Sequence, residues 1–162
     1  MARETQRRIR IFNPQGLANT AWAFATLGQL DAWLFTALAR AAEHCMGDFT
    51  PQSLANTAWA FATLCQLDAQ LFTALAREAE RHISDFNPQD LANTALAFAK
   101  VGQPDLQLFT ALAKQAKRRV GNFHSQGFAN TAWAFATLGQ LDAQLFTALA
   151  KEAERRRSDF NL

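Results

Sequence analysis

Amide, cationic and aromatic side chains return in this chain at one fixed step. Asn19, Asn56, Asn93 and Asn130 lie 37 residues apart, and Gln15, Gln52, Gln89 and Gln126 keep the same step just ahead of them. An Asn or Gln side chain carries a carbonyl acceptor and an NH2 donor, so it can meet peptide backbone, phosphate or base edges. An amide ladder of this kind can also bond within itself or to its own backbone. Arg40, Arg77, Lys114 and Lys151 form a cationic column on the same period. His44, Arg81, Arg118 and Arg155 follow one turn later, then Cys45, His82, Arg119 and Arg156. Cations in the last turns of a helix complement its dipole, and a periodic basic stripe is also a track for a phosphate backbone. Lys114, Lys117, Arg118 and Arg119 make the most basic patch, whereas Glu43, Glu80 and Glu154 dilute the stripe elsewhere. Trp22, Trp59 and Trp133, with Leu96 at the matching place in the third copy, can stack on bases. Their position at the edge of a helix face leads us to expect packing between copies instead.

Residues for bond-breaking chemistry are not assembled by this pattern. His44, His82 and His124 fall at different heights of different copies, without metal-ligand spacing. No phosphate-binding loop, dinucleotide fingerprint or nucleophile elbow is present in the sequence. We therefore expect no enzyme, no catalytic residue, no metal, no cofactor and no small-molecule substrate. The formal net charge is +2, from 16 basic and 14 acidic side chains. That is far from the balance of a dedicated nucleic-acid tail, so the distribution of charge matters more than its sum. Cys45 and Cys65 are the only cysteines, which suggests a reducing intracellular compartment and no disulfide. No apolar run approaches the roughly 20 residues of a membrane span, and no membrane partner is expected.

The elements that carry these columns are helices in pairs. Units run over about 12–48, 49–85, 86–122 and 123–159 of the 162 residues. The first helix of a unit starts at Pro14, where a missing N–H does no harm, with Asn13 as its cap and Phe12 as a staple. It stops near Leu27, and Gly28 supplies a left-handed residue. Asp31 caps the second helix, which should reach about Met46. His124 and Ser125 replace Asn and Pro in the fourth unit, and Pro104 interrupts the third just before its second helix. At 100° per residue, Leu17, Ala21, Phe24, Ala25, Leu27 and Gly28 share the buried side of the first helix. Gln15, Gly16, Asn19, Ala23 and Thr26 share the free side. In the second helix Leu34, Phe35, Leu38, Ala41, Ala42 and Cys45 face inward, and Trp33, Thr36, Arg40, Glu43 and His44 outward. One such pair cannot bury its apolar side alone, but stacked pairs can. The fold class is all-α, a solenoid of helix-turn-helix units with a 37-residue period. Residues 1–11 read as the tail of a preceding unit, with Arg3, Arg7 and Arg8 in register, and 160–162 as the opening of a following one. On that reading the chain is an excerpt of a longer array.

The run L-A-N-T-A-W-A-F-A-T-L-G from Leu17 to Gly28, preceded by F-N-P-Q, resembles the octotricopeptide and heptatricopeptide repeat families. The resemblance spans residues 10–162. It implies sequence-dependent binding of single-stranded RNA in mitochondria or chloroplasts, in transcript processing, stability, translation or ribosome assembly. FAST-kinase-like proteins carry similar arrays, often with a RAP domain, and no such domain is visible in this sequence. Leu96 and the His124–Ser125 start depart from the family pattern and weaken the case for contact by those two units. On this reading the Asn column and the cations Arg40, Arg77, Lys114, Lys151, Arg81, Arg118 and Arg155 hold RNA. Positions that vary between units are the readout candidates: Gly16, Ser53, Asp90 and Gly127, then Thr26, Thr63, Lys100 and Thr137. Binding should then fall steeply with salt. The alternative is an armadillo-like scaffold for protein partners, gripping an extended peptide with the Asn column, and modest net charge favours it. A designed consensus array is a third reading, opposed by the irregularities at Trp33, Cys65, Leu96 and Pro104.

Overall fold

The structure, a computed structural model, describes residues 8, 9 and 11–157. Most of the expected tail of a preceding unit, Arg3 and Arg7 included, lies outside the described residues, as does the whole of 160–162. Helices α1 (Pro14–Thr26), α3 (Pro51–Thr63), α5 (Pro88–Lys100) and α7 (Ser125–Thr137) are the first members of successive pairs. Helices α2 (Ala32–His44), α4 (Ala69–His82), α6 (Leu106–Arg119) and α8 (Ala143–Arg155) are the second members. No strand occurs among the described residues.

Capping chemistry sets these boundaries. Asn13 Oδ1 accepts the Gly16 N–H at 2.7 Å, Thr50 Oγ1 the Ser53 N–H at 3.2 Å, and Asn87 Oδ1 the Asp90 N–H at 2.8 Å. Each cap precedes a proline at the first helical position. In α7 His124 makes no side-chain cap and Ser125 takes the proline's place. All second helices share one device: Asp31, Asp68, Asp105 and Asp142 accept the N–H of Leu34, Leu71, Leu108 and Leu145 at 2.8–3.0 Å. The first helices end on left-handed residues, Gly28, Gly102 and Gly139 at φ of 63° to 64°, and Cys65 at φ 54°. Each of the first three second helices closes with a 3₁₀ turn, Met46–Asp48, Ile83–Asp85 and Val120–Asn122. The α-helix that was expected to reach Met46 therefore stops at His44.

Packing is uneven between the two layers. The first helices lie much closer to one another than the second helices do. Small buried side chains allow this approach, among them Ala55, Ala58, Ala62, Ala92, Ala95 and Ala99. An edge-to-face phenylalanine pair ties each of the first three second helices to the next unit's first helix: Phe35–Phe61, Phe72–Phe98 and Phe109–Phe135, with ring centroids 4.9–5.1 Å apart. Such pairs add to the burial of the rings themselves.

Close stacking corrects the expected faces of the first helix. Ser53, Asp90, Ala60, Ala97 and Ala134 were placed on the free side by their register, but they are buried. Adjacent first helices cover both flanks of α3 and α5 and one flank of α7, which leaves a narrower free stripe. Leu27, expected inside, is 72 % exposed because it lies past the last helical turn, and Gly28 is exposed with it. Two cations of the basic stripe prove to be junction ties. The Arg119 guanidinium donates to the carbonyls of Phe86 and Ser84. Arg156 donates to the carbonyls of Phe123 at 2.6 Å, Gly121 at 3.0 Å and Val120 at 3.2 Å. Each reaches back to the link that enters its own unit and holds the backbone carbonyls of that turn.

Candidate nucleic-acid interface

An open groove of about 780 Å³ crosses the first-helix layer. The amide column supplies Asn56, Asn93 and Asn130, the aromatic column Trp22, Trp59 and Trp133, and the last turn of α5 supplies Lys100. These columns sit at i, i+3 and i+7 of each first helix, so they share one stripe. Gln89 and Gln126 continue it toward the helix starts. His124 also lines the groove, and no carboxylate does. Of the tryptophans expected to pack between copies, Trp59 is half-buried against the core, while Trp22 and Trp133, on the end helices α1 and α7, are 46 % and 48 % exposed. No hydrogen bond joins Asn19, Asn56, Asn93 or Asn130 to another side chain among the described residues, so the amides form no ladder with one another. Asn19 faces a smaller recess of about 300 Å³ between the first two units, with Asn13, Gln52, Asn56 and Asp48.

The first set of readout candidates serves the helix starts. The Gly16 N–H donates to its cap, and a Cβ on Gly127 would lie 3.5 Å from that of Ala92. Ser53 and Asp90 are buried. The Asp90 carboxylate accepts the Asn87 N–H at 3.2 Å. Burial raises its pKa above the usual value, and that hydrogen bond works in the opposite direction. In the second set Thr26, Lys100 and Thr137 are exposed and Thr63 is half-buried. The Thr26 hydroxyl donates to the Trp22 carbonyl at 2.8 Å.

The cationic column stands on the other side of the core. Arg77, Lys114 and Lys151 are exposed on second helices, and Arg40, also exposed, borders a recess with Ile9, Leu17 and His44. None of these four lines the amide and tryptophan groove, in which Lys100 is the one Lys or Arg. Two members of the next column pair with acids one turn back: Arg81 with Glu78 at 3.5 Å, and Arg155 with Glu152. Arg118 is exposed. The basic patch in unit three is thinned in the same way, because Lys117 pairs with Asp142 at 3.0 Å and Arg119 ties the junction. Glu78 and Glu152, with Gln115 between them, form a buried polar column that the sequence reading missed. The 37-residue step from Ala41 leads to all three, but the alanine disguises the column. Hydrogen bonds from Arg155 and Arg156 hold the Glu152 carboxyl down to about 2.

A stack of helix pairs with an amide and aromatic groove across its first-helix layer defines an α-solenoid repeat protein. Over residues 6–158 the chain matches the RNA-editing substrate-binding complex 6 protein family, RESC6, and it belongs to that family. No curated protein sequence matches it significantly. Membership ties the chain to RNA-related function and corrects the resemblance to octotricopeptide and heptatricopeptide repeats. No described helix is long and apolar enough to cross a membrane.

Proposed function

We propose that this chain is a non-enzymatic scaffold that holds single-stranded RNA along the first-helix groove, as part of a mitochondrial RNA-editing assembly with protein partners. One observation carries the reading: Asn56, Asn93, Asn130, Trp59 and Trp133 open onto a single groove without a carboxylate. Exposed rings stack on bases of any identity, and the amides can meet base edges or phosphates. The family's RNA-editing character supports the setting and the organelle. A low-charge groove changes the expected salt response. Each phosphate neutralised on a single strand contributes a slope of about −0.7, so binding through Lys100, the one Lys or Arg of the groove, should fall gently with salt rather than steeply.

The test is equilibrium binding of labelled 12-nucleotide RNA to the whole chain at several salt concentrations. Trp59→Ala and Trp133→Ala should each weaken binding by about 1–3 kcal/mol. Absence of binding at low salt, or affinity indifferent to both changes, would sink the proposal. The unpaired Asn amides also suit an extended peptide. That reading predicts salt-insensitive capture of a protein partner that is lost with Asn93→Ala and not competed by RNA.

A further inference from the structure

Unit three departs from its neighbours at two groove positions together. Leu96 replaces the tryptophan of Trp22, Trp59 and Trp133, and Lys100 replaces the threonine of Thr26, Thr63 and Thr137. The two lie four residues apart on α5, one turn apart on the same face, and both line the groove. Tryptophans of units two and four stand on either side, at Trp59 and Trp133. Lys100 is exposed, makes no ion pair among the described residues, and meets no carboxylate in the groove lining. In unit one the Thr26 hydroxyl at this position turns inward to its own helix. A lysine there instead presents a mobile cation on a long stem.

We infer that unit three is a phosphate-reading gap in a row of base-stacking units. The ligand is a single-stranded RNA segment with bases stacked on Trp59 and Trp133. The nucleotide between them lies unstacked over Leu96, its phosphate held by Lys100. The inference rests on the proposed RNA groove and names what that groove distinguishes: a strand with one unstacked nucleotide, from a continuously stacked one. Lys100 also sits at the C-terminus of α5, where it complements the helix dipole. A purely structural role would therefore affect stability alone.

The test compares Lys100→Thr and Leu96→Trp with the wild-type chain. Both changes install the residue that three other units carry, so the helix is preserved. The probe is a labelled 12-nucleotide oligouridylate, titrated across a salt series. Lys100→Thr should lower the magnitude of the salt slope by about 0.7, the share of one phosphate on a single strand. Leu96→Trp should tighten binding by about five-fold or more as a fourth ring enters the row. An unchanged slope in Lys100→Thr, or no gain in Leu96→Trp with the thermal midpoint retained, overturns the inference. The two levels of the argument fail differently. If Trp59→Ala weakens binding while Lys100→Thr keeps the slope, only the gap is wrong. If the wild-type chain does not bind RNA at low salt, or Trp59→Ala and Trp133→Ala both bind as wild type, the groove assignment falls and takes the gap with it.

Discussion

Single positions in this array can be judged against their own copies. Cys65 stands where three other units place glycine, and it adopts the same left-handed backbone at φ 54°. A side chain with a Cβ pays about 1–2 kcal/mol in that region. Glycine would recover this but lose about 0.4–1 kcal/mol through its freer unfolded chain. Cys65→Gly should therefore raise stability by about 0.5–1 kcal/mol, read as a higher denaturant midpoint with an unchanged slope. An unchanged or lower midpoint would mean that the Cys65 side chain makes compensating contacts. Arg119 and Arg156 carry a related lesson: two guanidinium groups on an apparent nucleic-acid stripe are engaged by carbonyls of the repeat junction.

Between elements, charge decides how alike the junctions are. Lys117 on α6 meets Asp142, the cap of α8, at 3.0 Å and also reaches Gln144 at 3.2 Å. One unit earlier, Glu80 occupies the place of Lys117 and Asp105 that of Asp142. Burial raises the Glu80 pKa, and repulsion from Asp105 adds to the effect. The junction between units two and three thus opposes like charges where the next one pairs opposite charges. Glu80→Lys should reproduce the second arrangement and stabilise the chain by about 0.5 kcal/mol, the worth of a partly exposed pair. Added salt should shrink the gain. A neutral or destabilising result would show that the α4–α6 spacing does not permit the contact.

Across the whole molecule, the hydrophobic core separates two polar surfaces. The amides, tryptophans and Lys100 line the first-helix layer, while Arg77, Lys114 and Lys151 stand on second helices. Charges on opposite sides of such a core lie beyond the roughly 8 Å screening length at physiological salt. The double change Arg77→Glu and Lys114→Glu should therefore leave RNA affinity at 150 mM salt within about two-fold of wild type. A large loss would place the strand on the second-helix face and remove the tryptophan groove from its path. Stability in such an array is a sum over units and junctions, so the Glu80 and Cys65 effects should add when combined.

Much of this molecule was legible from spacing alone. The 37-residue step, the Asn–Pro starts and the Asp caps named the helix pairs, because capping is a local interaction of residues three apart. The four Asp caps act on four leucine N–H groups as that logic requires. What periodicity could not reveal was which surface each column would occupy once neighbours were stacked. A helical wheel assigns one buried side, but α3 and α5 have first helices on two flanks, which buries Ser53 and Asp90, while Trp22 and Trp133 on the end helices α1 and α7 stay open. Nor could it separate free cations from engaged ones, since the carbonyls that hold Arg156 lie more than 30 residues earlier in the chain. The sequence by itself determined the columns and the caps, which depend on neighbours within a turn or two. Only the tertiary structure decided which columns share a groove, because that depends on how closely one unit's helices approach the next.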